Sequence, residues 1–127
     1  MRTIKFRGKR IDNGEWVYGA FYPIKSEDVY FIINNCKSID FDDDDTTFNG
    51  YKVHKKSVGE FTGLYDINGK EFYEGDILKG KTGKNYEVGF KNGCFLAKDG
   101  SVAILGAEME AFEVIGNIYE NPELVKL

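Results

Sequence analysis

The single histidine of the chain, His54, stands among Lys52, Lys55 and Lys56. A neutral imidazole is the usual general base near pH 7, but adjacent lysines lower its basicity. No serine or cysteine motif accompanies it. The chain also lacks a Gly-x-Ser-x-Gly elbow, a phosphate-binding loop and a His-Glu-x-x-His pair. A surface histidine in a basic loop is the simpler reading. Glu71, Glu74 and Asp76 could pair as carboxylates, yet nothing in the sequence separates their pKa values. The residue pattern therefore predicts no enzyme, no catalytic residue and no cofactor.

Asp40, Asp42, Asp43, Asp44 and Asp45 supply hard oxygen ligands of the kind that calcium takes. Their register does not fit a calcium loop. Counted from Asp40, Asp45 stands where a glycine is needed and Tyr51 where a glutamate is needed; counted from Asp42, those places hold Thr47 and Val53. A solvated acidic loop is the expectation, with no metal.

A third group is basic and aromatic. In an extended Thr3–Lys9 segment, Lys5, Arg7 and Lys9 form a stripe with charges about 7 Å apart, given the strand rise. Arg10 follows directly. If 15–22 pairs back through the Asp12-Asn13-Gly14 turn, Trp16, Tyr18 and Tyr22 line one face nearby. Cations and aromatic rings on a small β-barrel are what single-stranded nucleic-acid platforms use. The net charge of −4 opposes that reading, because such domains are usually basic. The same seven residues also suit a protein interface, whose anchors are aromatic side chains and arginine. The basic N-terminal strand and the five-aspartate run are complementary, so between chains they could set the register of an oligomer.

Short strands must position these residues. Asn13-Gly14, Asn49-Gly50, Asn68-Gly69, Asn92-Gly93 and Asp99-Gly100 are hairpin-turn dipeptides. The aromatic and β-branched segments between them predict strands at 3–9, 15–22, 29–33, 58–64, 86–90, 94–98 and 112–119. Residues 103–112 have helical spacing at Ile104, Ala107, Glu108 and Ala111, although Gly106 weakens it. Asn121-Pro122-Glu123 reads as the start of a turn-long helix. In 114–119, Val114, Gly116 and Ile118 share one face. The fold class is mostly β: a small barrel or half-open roll with a short helical cap, in one domain, with a polar acidic excursion at about 34–50.

Composition is consistent with this. A chain of 127 residues buries roughly two-thirds of its surface on folding, enough for a core without staples. With 42% apolar and 15% aromatic residues it is not a disordered segment. The longest apolar run, Val29–Ile33, falls well short of a membrane span of roughly 18 residues or more, and no signal-peptide core opens the chain. A cytoplasmic location is expected. Cys36 and Cys94 are too far apart for a Cys-x-x-Cys motif and read as inert thiols, in keeping with the tendency of free cysteine to be buried.

Three blocks carry a family resemblance. They are Phe6-Arg7-Gly8-Lys9-Arg10 with Asn13-Gly14-Glu15-Trp16-Val17-Tyr18-Gly19; Val58 to Leu78, VGEFTGLYDINGKEFYEGDIL; and Phe112 to Leu124, FEVIGNIYENPEL. Together they cover about half the chain, in order, and resemble the YopX family of phage and prophage proteins. The resemblance implies a pseudo-barrel capped by a short helix, a bacteriophage or prophage origin and oligomer formation. It implies no enzymatic activity and brings no catalytic residues. Residues 34–50 have no counterpart in it. The expectation is a phage accessory protein of the host cytoplasm that self-associates or binds a host protein, without a membrane; the alternative is a single-stranded nucleic-acid binder.

Overall fold

The computed structural model describes residues 3–35, 49–100 and 102–125. Within them are eleven strands and four short 3-10 helices. The strands group into two compact units, Ile4–Gly59 and Glu60–Leu127.

The first unit holds β1 (Phe6–Lys9), β2 (Trp16–Ile24), β3 (Val29–Asn35) and β4 (Asn49–Lys52), paired antiparallel in the order β4-β3-β2-β1. The Asn13-Gly14 turn joins β1 to β2 as expected. Gly14 takes a positive φ and donates to the Arg10 carbonyl, while Asn13 Oδ1 accepts from Glu15 N. Phe6, Val17 and Phe21 point to one face and pack with Tyr30, Ile32, Val53 and Val58. Gly19 is required by close approach: a Cβ there would run into the carbonyl oxygen of Ile33 on the neighbouring strand. Any side chain at that position would prise β2 from β3.

The second unit pairs β5 (Gly59–Tyr65) with β6 (Glu71–Tyr73); β5 begins one residue before the unit boundary. It then builds a five-stranded sheet from β7 (Asp76–Lys79), β8 (Asn85–Lys91), β9 (Cys94–Asp99), β10 (Val102–Leu105) and β11 (Glu113–Asn117), in the order β10-β9-β8-β7-β11. One face of it buries Leu78, Tyr86, Val88 and Ala97 against Phe72, Met109 and Phe112. Tyr86 and Phe112 stack with centroids 5.3 Å apart.

The mostly-β expectation holds, but the sheet does not close into a barrel. β10 pairs only with β9 and β11 only with β7, so both remain edges. Strands of four and five residues, one of them bulged, suit an open edge better than the matched stagger that closure demands.

Two element assignments also change. Residues 103–112 do not form a helix of two or three turns. β10 occupies the first part, because Ala103 and Ile104 pair with Lys98 and Ala97. Gly106 then turns the chain at φ 62° into a 3-10 helix, Gly106–Ala111, anchored by fully buried Met109. Asn49-Gly50 opens β4 instead of making a turn. The register of β11 slips between Val114 and Gly116, which pair with Leu78 and Ile77, so those two residues face opposite sides. The simple alternation across 114–118 therefore fails at Ile115.

The central block behaves as its residues suggest. Gly63, at φ 84°, sits where the β5–β6 register shifts. Gly75 takes φ 94° in the turn before β7, and buried Asp76 accepts from Tyr73 N at 2.8 Å. The β5–β6 turn is held by Asp66, whose Oδ1 accepts from Asn68 N and Lys70 N, both at 2.9 Å, and whose Oδ2 accepts from Val114 N at 3.0 Å. One carboxylate thus ties a hairpin turn to an edge strand 48 residues away.

Burial alone would push the Asp66 carboxyl up, but the backbone donors of Val114, Lys70 and Asn68, with the charge of Lys70, outweigh it and hold the pKa below the ordinary carboxylate value. A depressed folded pKa gives stability that is complete above the unfolded value, about 4, and lost as pH falls through the folded value. Asp66→Ala is expected to cost about 3 kcal/mol at pH 7, the scale of losing buried bonds to a charged acceptor. Urea titrations at pH 7 and below pH 4 test this: the difference between wild type and variant should shrink in acid.

Candidate functional site

The register of β1 and β2 builds one face from the basic and aromatic residues. Arg7 lies opposite Tyr18 and Lys9 opposite Trp16, while Phe6 and Gly8 lie opposite Gly19 and Val17 on the core side. Side chains directly opposite in an antiparallel pair share a face. β2 continues that outer face through Ala20 and Tyr22, and Tyr22 pairs with Phe31, which pairs in turn with Lys52. Tyr18 is 47% exposed and Tyr22 38%, with exposed Ala20 between them. Trp16 is half-buried.

The predicted residues do not all behave alike. Lys5 and Lys9 are half-buried, with Lys5 one residue before β1. Arg7 is not a solvated cation: only 8% of it is exposed, and its guanidinium carbon lies 4.8 Å from the centroid of the Trp16 ring. Stacked there, it stiffens the indole as well as charging the face. Lys9 is fixed through its backbone, whose N donates to Ser57 Oγ at 2.8 Å and whose carbonyl accepts from His54 N at 3.0 Å.

Arg10 leaves the stripe. It bridges to Val53, lies 4.2 Å from the centroid of the Tyr51 ring, and forms a two-pronged ion pair with Asp12 at 2.6 and 2.9 Å. The hydrogen bond to Asp12 raises the Arg10 pKa and lowers that of Asp12, though both groups are solvated. Sequence spacing could not reveal this, since the bridge to Val53 turns Arg10 toward β4.

The other chemical candidates are occupied structurally. Exposed His54 opens the 3-10 turn 55–57, and its carbonyl accepts from Ser57 Oγ at 2.6 Å. Glu71 accepts from the Tyr73 hydroxyl at 2.9 Å, and Asp76 serves its own turn. The five-aspartate run 40–45 and Cys36 lie outside the described residues. Cys94 is exposed at the start of β9, where a buried thiol was the expectation. Its neighbours Asn92 and Gly93, at φ 53° and 80°, make a two-residue turn that leaves no apolar cover for it.

Sequence reasoning missed a cleft of about 270 Å³ in the second unit, lined by Asn85, Glu87, Lys98, Asp99, Gly100 and Val125. Lys98 faces Glu87 at 3.9 Å across it, and Asn85 donates to the Leu124 carbonyl at 2.9 Å. Its lining brings together no nucleophile and general base. Its residues come from strands β8 and β9 and from positions 100 and 125, so no local motif announces it.

These features define an antiparallel β protein whose first unit presents an aromatic row beside cations. The YopX family model, described as YopX protein, matches residues 5–126, and the chain belongs to the YopX family. The crystal structure of protein EF1440 from Enterococcus faecalis is similar in fold, with a TM-score of 0.60 and 24% identity, over 99% of this chain and 100% of that one. A search of curated proteins finds no match. Among the described residues no helix is long and apolar enough to cross a membrane.

Trp16 is the only tryptophan, so its emission reports on Arg7 directly. Arg7→Ala is expected to raise acrylamide quenching of Trp16 and to cost about 1–2 kcal/mol, the range of a partly desolvated cation–π contact. Unchanged quenching would show that the guanidinium does not cover the ring.

Proposed function

We propose that the protein is a non-enzymatic binding module that associates with itself or with a partner protein through the outer face of β1 and β2. A phage or prophage accessory protein acting in the host cytoplasm is the setting for this reading. The observation that carries it is the row Tyr18, Ala20 and Tyr22, exposed on one sheet face beside Arg7 and Lys9. Exposed rings on rigid strands lose little entropy on docking, and a stacked arginine is the residue type that anchors interfaces. The opposite face of β2 is already committed to the core, so the outer row is not needed to hold its own unit together.

Light scattering on a sizing column tests it. Tyr18→Ala with Tyr22→Ala should lower the mass of an assembled species, or abolish capture of a protein partner, while leaving far-UV circular dichroism unchanged. An unaltered assembly would remove this face from the interface.

A second reading follows from the register itself. Arg7 beside Tyr18 and Lys9 beside Trp16 alternate cation and ring at strand spacing, as single-stranded nucleic acid requires. It predicts binding of a labelled oligothymidine that weakens steeply between low and moderate salt, because bound phosphates release counterions. Trp16→Ala should then weaken binding by about 1–3 kcal/mol. Anisotropy that is flat at low salt would exclude it.

A further inference from the structure

The charge of the chain is divided between its two units. The described residues of Ile4–Gly59 carry eight Lys and Arg against four Asp and Glu; Glu60 to Val125 carry twelve Asp and Glu against six Lys. The imbalance sharpens toward the end of the second unit. From Asp99 to Val125 there are six carboxylates and no Lys or Arg. Glu108 and Glu110 are exposed on the 3-10 helix Gly106–Ala111, and exposed Glu113 begins β11. Buried Met109 and Phe112 pin the segment between them, so the three carboxylates are held on an anchored support.

We propose that the occupant of the β1–β2 face is the segment Glu108–Glu113 of a second copy of the chain, docked head to tail. The inference rests on the binding-module reading and adds its partner and its geometry. Lys9 and Lys52 flank the aromatic row, and the carboxylates of the other copy meet them while Tyr18 and Tyr22 supply the apolar contact. Complementary charge sets the orientation of such a contact and excludes like faces. Two basic faces repel each other, as do two acidic segments, so the contact is not self-complementary. A contact between two different patches propagates, closing into a ring or extending as a filament according to the rotation per subunit.

Complementary loss tests the arrangement on the full chain. One variant carries Lys9→Glu and Lys52→Glu; the other carries Glu108→Lys, Glu110→Lys and Glu113→Lys. The wild type should give a mass that rises with protein concentration and falls with salt. Each variant alone should weaken assembly by about tenfold or more, since like charges now meet. An equimolar mixture should recover a species of twice the chain mass and no larger, because each variant keeps one competent half. Where a reversed variant fails the circular-dichroism check, its Gln counterpart removes the charges without reversing them and is read the same way.

A wild type that assembles, with the Glu108, Glu110 and Glu113 variant assembling equally well, overturns this inference and leaves the module reading in place. Two monomeric variants that do not combine overturn it as well. A wild type that is monomeric at every concentration overturns it, and leaves the module reading to a partner protein; if that chain also retains labelled oligothymidine, the nucleic-acid reading replaces both.

Discussion

The register between β1 and β2 governs what the first unit can present. With Lys9 opposite Trp16 and Arg7 opposite Tyr18, Phe6 is left to pack against Phe21 at 5.5 Å. A slip of one residue would carry every side chain of β1 to the other face, burying lysines and exposing phenylalanine. The pairing is pinned from both ends. The Asn13-Gly14 turn fixes the offset, and Gly8 lets Val53 approach so closely that a Cβ there would lie 2.9 Å from it. The binding face is therefore a by-product of a core constraint: the residues facing outward are those that the core face excludes.

Arg7 sits at the meeting of the two roles. It belongs to the outer face by register, yet it is almost as sheltered as the core residues. A guanidinium tolerates this better than an ammonium, because it is weakly hydrated and its plane can lie on an indole. The half-buried Trp16 is thereby fixed in orientation without being hidden. An interface built on such a pair loses less conformational entropy than one built on a mobile lysine.

Much of the fold was legible because its signals are local. The Asn-Gly turns at 13, 68 and 92, the bulge at Gly63 and the turn at Gly75 follow from backbone chemistry within a few residues. The strand-period alternation in 5–9 correctly placed Lys5, Arg7 and Lys9 apart from Phe6. What escaped was set at a distance. Ile104 fits a helix by spacing and a strand by its neighbour Ala97, and the neighbour prevails. Arg10 continues a basic run in sequence but is recruited by Val53, Tyr51 and Asp12. Ile115 breaks an alternation that looks regular, because the pairing with β7 slips there.

The position of β7 within its sheet has a consequence for the order in which the chain matures. Its partner β8 follows within a few residues, but its other partner, β11, begins at Glu113. During synthesis, the flank of β7 that receives β11 has no partner until that segment leaves the ribosome, and a non-local pairing of this kind forms late. Asp66 is tied to the same event, since one of its three donors is Val114 N on β11. The nascent chain thus carries an open strand edge and an incompletely satisfied carboxylate until its last strand arrives. The docking of that strand resolves both at once.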